Sequence, residues 1–270
     1  MNDTVRSETT VLVALVWALG SVPAYADCPS PETIDAKLRQ LDLSGAYRSQ
    51  EFELQPPWSL YKQAAGKPGK VVIDRGGKLG QAVVVANLPI EALWMAINDE
   101  DHYAEGGYLP VEHSQVIGGT SRGQQRLLFQ YFKRAGVGRW WIDEVVMNQE
   151  LFAESGGMLW ELRWWDLMET HGESGLPAEF SDEGLSPIRE SRGAWLMIPL
   201  ADHCTLVEYA TVSNPGGFLN VVQWFASGRV IRENLEGLQR LAIEHVPEPH
   251  PEVRFIRPDG TSITLVPAVE

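Results

Sequence analysis

A chain of 270 residues is long enough for one large domain or two small ones. Its net charge of −14 and pI near 4.9 offer no basic face to phosphates, which argues against nucleic acid as a partner and against electrostatic docking on anionic lipid. Ten tryptophans bring large apolar surfaces whose indole N–H groups need partners, a composition suited to a core or to the wall of a ligand pocket.

The chain opens on an apolar run, Val11 to Val22, shorter than the roughly 20 residues of a spanning helix. Pro23 and then Ala24-Tyr25-Ala26 follow, with small residues at −3 and −1 of a cleavage site before Asp27. This spacing predicts a signal peptide over residues 1–26 and a periplasmic or secreted mature protein. Two cysteines remain, Cys28 and Cys204. In an oxidising compartment the two can form a disulfide, and two lone cysteines make no metal-ligand cluster.

Residues 27–70 read as a helical and extended N-terminal segment. Ser30 to Leu43 has Ile34, Leu38 and Leu41 at helical spacing, with Pro31 in the first turn. A looser stretch through Pro56, Pro57, Gly66, Pro68 and Gly69 follows. Strands are predicted at Val71–Ile73 and Gln81–Asn87, then a helix from Ile90 to Asn98 opened by Pro89. A polar turn over 99–110 leads to further strands near Val111–Gly118, Gln124–Lys133, Trp140–Leu151, Met158–Leu167, Glu190–Leu200 and Thr205–Ser213. Short Gly- or Pro-bearing joints imply an antiparallel meander, with Glu169–Pro187 as a long loop. A helix from about Gly217 to Glu244 carries Trp224, Ile231, Leu235, Leu238 and Leu241 on one side. The tail, residues 247–270, holds a hairpin around Pro258-Asp259-Gly260.

The fold class is therefore α+β: a curved antiparallel sheet wrapped around a long C-terminal helix that covers its apolar face and leaves a cavity between the layers. The run from Ala82 to Trp94, the Asp99 and Tyr103 pair, and Thr205–Tyr209 followed by Asn214-Pro215-Gly216-Gly217 resemble the START-like, SRPBCC (helix-grip) superfamily. The resemblance covers about Val71 to Glu244, within a domain drawn at 71–246. It implies a deep hydrophobic cavity for lipids, sterols, isoprenoids or polyketide-like compounds, on a fold that hosts carriers and a minority of enzymes.

Strand alternation nominates the lining. Trp160, Leu162 and Trp164 share one face of their strand, Leu127, Phe129 and Tyr131 one face of theirs. Trp195, Met197 and Tyr209 join them, with Val221, Trp224, Phe225 and Gly228 from the last helix as the roof. Arg126, Glu144, Glu161, Arg163 and Glu208 are the charged groups that would orient a ligand if they faced inward.

Enzyme chemistry finds little purchase. Gly119-Thr120-Ser121-Arg122-Gly123 matches G-x-S-x-G, but a strand follows it where the nucleophile elbow needs a helix. No histidine forms H-E-x-x-H, and Asp99 to His102 reads as an acidic loop. No catalytic residue, metal or cofactor is assigned. The expected function is binding and transport of a hydrophobic small molecule, with transient contact at a membrane. The alternatives are a cyclase, hydratase or hydrolase on the same fold, and a protein-interaction module of the envelope. Gly216-Gly217 is the expected hinge of the lid.

Overall fold

A computed structural model describes residues 28–52, 55–74, 79–134, 136–171, 176–214, 228–244 and 254–263. Three short helices come first: α1 (Pro31–Leu38), α2 (Tyr47–Phe52) and α3 (Trp58–Ala65). The Ser30 hydroxyl accepts from Thr33 N at 3.3 Å and caps α1, with Pro31 supplying the fixed φ of its first turn. The stretch read as loose contains α2 and α3, because Pro56-Pro57 opens a helix rather than prolonging a loop.

Strands β1 (Val72–Asp74) and β2 (Gly80–Ala86) precede α4 (Ile90–Ile97) and a 3-10 turn at Glu100–His102. Then come β3 (His113–Gly119), β4 (Gln125–Arg134), β5 (Val137–Met147), α5 (Gln149–Glu154) and β6 (Trp160–Asp166). After α6 (Met168–His171), a 3-10 turn at Ala178–Glu183 and β7 (Leu185–Pro187), the long strands β8 (Glu190–Ala201) and β9 (Cys204–Asn214) lead towards α7 (Gly228–Glu244). The strand predicted to reach Leu151 ends at Met147, because Asn148 caps α5 by accepting from Leu151 N at 3.1 Å. The long loop is likewise punctuated: β7 pairs in parallel with β5. Helix α7 is described only from Gly228, so Gly216-Gly217 and the expected roof residues Val221, Trp224 and Phe225 lie outside the described residues.

The strands form one unclosed sheet in the order β1-β2-β9-β8-β6-β5-β4-β3, antiparallel throughout apart from β7. Each face has its own cover. On the inner face α4 and α7 pack over Ala82, Val84, Val207, Met197 and Trp195. On the outer face α1 and α3 lay Ile34, Leu38, Leu60 and Tyr61 against Val83, Val85, Leu196, Ile198 and Leu206. Strands buried on both faces lose the polar/apolar alternation of a half-exposed sheet, which is why β2, β8 and β9 read as nearly continuous apolar runs.

The outer layer is fastened in two further ways. Cys28 and Cys204 are joined by a disulfide, with Cα atoms 5.4 Å apart across 176 positions of sequence. A buried polar network ties α2 and α3 to the sheet. Arg48 Nε lies 2.8 Å from Glu208 Oε1, the Tyr61 hydroxyl donates to Glu208 Oε2, and Arg48 Nη2 donates to the Tyr61 oxygen at 3.2 Å. Glu161 accepts from Tyr47 N at 2.6 Å, Asn148 Nδ2 at 2.8 Å and Arg163 Nε at 2.6 Å. Burial pushes the Glu208 carboxyl up, and Arg48 opposes the rise.

Helix α7 is seated by a close backbone approach. A Cβ on Gly237 would lie 1.6 Å from Tyr108 O, so only glycine lets the helix lie this near the 107–110 segment. The Tyr108 hydroxyl donates to Glu244 Oε2 at 2.6 Å and Arg240 Nη2 to Gly107 O at 3.0 Å, which fixes the C-terminal half of the helix.

Removing the disulfide tests how much the outer layer depends on it. Cys28→Ala should cost about 2–4 kcal/mol of unfolding free energy, the usual worth of a bridge closing a long loop. Denaturant melts of the oxidised wild type and the variant measure the difference, and equal midpoints and slopes would deny the bridge any stabilising role.

Candidate functional site

The inner face, α4, α7 and the 103–111 segment leave a cavity of about 130 Å³. Strand register decides which side chains reach it. Leu162 stands opposite Trp195, and Trp195 opposite Tyr209. Trp164 stands opposite Gly193 on β8 and Val145 on β5. From β5 and β4, Trp141, Asp143 and Val145 face the cavity with Leu128 and Gln130.

The four nominated residues Leu162, Trp164, Trp195 and Tyr209 thus meet in one wall. Trp160 and Met197 point to the same face but lie beyond the cavity, in the core; Trp160 packs edge-on against Trp94 at 5.5 Å. Leu127, Phe129 and Tyr131 are corrected: they occupy the opposite face of β4. There the 176–187 segment covers them with Phe180 and Leu185, Phe180 stacking on Phe129 at 5.3 Å. The face of β4 towards the cavity carries Arg126 and Gln130 beside Leu128 and Phe132, and the more aromatic face is satisfied by the outer segment.

The charged candidates divide in the same way. Glu161, Arg163 and Glu208 serve the outer network described above, and Glu144 accepts from Gln125 on the surface. Arg126 is buried beside the cavity without lining it. Its guanidinium donates to Glu100 Oε1, to Asn98 Oδ1 at 2.8 Å and to Gly123 O at 2.8 Å. Ser121 sits in the turn of the β3–β4 hairpin beside Arg122, whose φ is +61°. That turn runs into a strand and forms no nucleophile elbow. Among the described residues no group of three His, Cys, Asp or Glu is placed to hold a metal.

Two residues that alternation alone did not single out give the cavity its chemistry. Glu100, 1% exposed, lines the cavity and leaves Oε2 buried with no hydrogen bond. Burial raises its carboxyl pKa, and Arg126 opposes the rise. Asp143, 4% exposed, leaves Oδ1 without a partner, while Oδ2 accepts from the Ser191 hydroxyl at 3.3 Å. Burial first, and Asp166 second, push Asp143 well above the carboxylate range, opposed by Ser191 and Trp141. A lone acid amid the apolar inner set Trp141, Val145 and Met147 was the signal in the sequence. Burial also lifts the Tyr209 phenol to about 12, so it stays neutral; its oxygen accepts from Asn234 Nδ2 at 3.3 Å.

Gly193 shapes the wall by lacking a side chain. A Cβ there would lie 2.4 Å from the Trp164 ring and 2.2 Å from Ala210 O. The indole occupies that gap and stacks on Tyr209, centroids 5.6 Å apart at 19°. Tyr209 in turn lies 4.3 Å from Trp195.

Gly193→Ala should therefore displace the Trp164 ring, at a cost of about 1–3 kcal/mol from overpacking. Near-ultraviolet dichroism should show the loss of the stack, and an unchanged spectrum would contradict this packing. Asp143→Asn tests the buried acid. A carboxyl whose folded pKa is raised contributes stability at low pH and loses it as pH rises towards that pKa. The variant should gain stability relative to wild type between acidic and neutral pH. Urea midpoints at pH 4.5 and 7.5 measure this, and a constant difference would remove the titration from the account.

No protein-family model matches the chain, and no curated protein matches its sequence. Solved structures do match. Human StAR-related lipid transfer protein 5 superposes with a TM-score of 0.50 at 13% identity, over 79% of this chain and 98% of that one. A STAR-related lipid transfer protein from Xanthomonas axonopodis gives 0.48 at 16%, over 66% and 93%. The Zhui aromatase/cyclase from Streptomyces gives 0.43 at 12%, over 66% and 96%. With its unclosed sheet, its inner cavity and its C-terminal helix, the chain has the START-like, helix-grip fold.

Proposed function

We propose that the protein binds a hydrophobic small molecule between the inner sheet face and helices α4 and α7, and serves as its carrier. One observation carries the reading. A cavity walled by Leu128, Leu162, Trp164 and Trp195 is also lined by Glu100 and Asp143, each of which keeps one buried carboxyl oxygen without a hydrogen-bond partner among the described residues. Buried polar atoms without partners are costly, at about 1–3 kcal/mol each. Apolar walls with a few converging polar groups are the usual build of a small-molecule site.

Size refines the reading. Pockets for drug-sized ligands run to about 300–1,000 Å³, and a cavity near 150 Å³ holds about one benzene ring. At about 130 Å³ the cavity takes one ring or a short chain segment as it stands. A lipid, sterol or isoprenoid enters only with its cover displaced. Export belongs to the same proposal: the Cys28–Cys204 bridge suits an oxidising compartment, and the run before Asp27 supplies an export signal.

A second reading has one observation in its favour. Asp143 lines the cavity and burial raises its carboxyl pKa, which suits a general acid. Turnover of a bound compound that Asp143→Asn abolishes would select an enzyme over a carrier.

The test of binding is native mass spectrometry of the purified chain, followed by organic extraction. A reproducible co-purifying apolar compound is expected. Leu128→Trp, which fills the cavity, should release it, and Leu127→Trp on the opposite face should retain it. A chain that is empty, and stays empty when offered octanol or cholesterol, would defeat the proposal.

A further inference from the structure

The lining of the cavity is charged in one sense only. Among the described residues that form it, Glu100 and Asp143 are acidic, and none is Lys, Arg or His. Residues 215–227, which precede α7, contain no charged side chain. Glu100 is met by Arg126. Among the described residues Asp143 has no such cation: the hydrogen-bonding groups that reach it, the Ser191 hydroxyl and Trp141, are neutral.

Across the strand register Asp143 stands directly opposite Asp166, and such pairs have Cβ atoms about 5 Å apart. Asp166 takes Ser191 N at 2.8 Å and Met168 N at 3.3 Å, so those backbone donors are spent there. Two acids thus share the inner face with no counter-charge among the described residues. Next to them on that face lie Trp164, Tyr209 and Trp195, ring against ring, and the faces of such rings attract cations.

We propose that the occupant of the cavity bears a protonated amine on an apolar body, and that Asp143 is its counter-ion. This deepens the binding reading and rests on it. On binding, Asp143 releases its proton to solvent and its carboxylate pairs with the ammonium, while the apolar body lies against Leu162, Trp164 and Trp195. A carboxylate or phosphate head would place a third anion beside Asp143 and Asp166. A neutral alcohol could fill the open hydrogen bond but would leave the acids uncompensated.

Calorimetric titration of the purified chain at pH 7 with octylamine, 1-octanol and octanoate separates the cases. Octylamine should bind at least about tenfold more tightly than octanol, the scale of one charge-assisted hydrogen bond, and octanoate weakest of the three. Asp143→Asn should erase that preference while keeping octanol affinity, which also shows that the variant folds and that the amine is not held by the acidic surface at large. Octanol or octanoate binding as tightly as octylamine would overturn the proposal and leave the cavity reading standing. So would an amine preference that survives Asp143→Asn. Binding of none of the three would defeat both.

Discussion

A sheet with two apolar faces has to be covered twice, and the rest of this structure follows from that need. Strands β2, β8 and β9 bury nearly every side chain on either side. Helix α7 and α4 can cover only the inner face. The outer face is left to the segment before β1, and this is why the chain invests a disulfide and the Arg48–Glu208–Tyr61 network there. A buried ion pair contributes little net stability, because desolvation offsets the attraction. Removing one partner is another matter, since it strands a buried charge at several kcal/mol. The network therefore specifies how the outer helices dock more than how strongly.

The same accounting separates the two acids of the cavity. Glu100 is buried as deeply as Glu208 and is likewise answered by an arginine. One of its oxygens is tied to the scaffold by Arg126, and the other is buried without a hydrogen bond. Asp143 meets no cation among the described residues, so burial raises its pKa and the fold weakens as pH rises. A chain selected for stability alone would carry Asn or Leu there. An acid kept at such a cost, beside Gly193 kept bare for the Trp164 ring, is the feature of this wall on which the binding proposal rests.

Much of this was legible in the residues. Alternation separated Trp160, Leu162 and Trp164 from Glu161, Arg163 and Trp165, because the charges within β6 fall on one side until Asp166 at its end. Alternation misled on β4, where Leu127, Phe129 and Tyr131 form a more apolar set than Leu128 and Phe132, which share their face with Arg126 and Gln130. What decides the orientation is Phe180, some fifty residues on, laid over the aromatic set. Helix α3 was obscured because Pro56-Pro57 serves equally to end a loop or to start a helix. The wall formed by β5 needed the pairing of Asp143 with Leu128 and Asp166, a fact of register that no single strand contains.

The cavity and its expected contents differ in size, and the seating of α7 limits how they can be reconciled. The C-terminal half of the helix is pinned by the Gly237–Tyr108 backbone approach, the Tyr108–Glu244 hydrogen bond and the Arg240 contact with Gly107. Its first turns meet the sheet through side chains, Ile231 against Gly80 and Gly228 against Ile73. Side chains repack at a cost of about 1–3 kcal/mol, whereas a helix lodged on a carbonyl cannot slide without losing the whole seat. Widening the cavity therefore falls to the first turns of α7, where Val230 and Ile231 line it. Those turns sit at the same end of the sheet as Asp143, Ser191 and Ser213, so a ligand entering there would present its polar group to the acid last and lead with its apolar body, unless the body is short enough to turn inside.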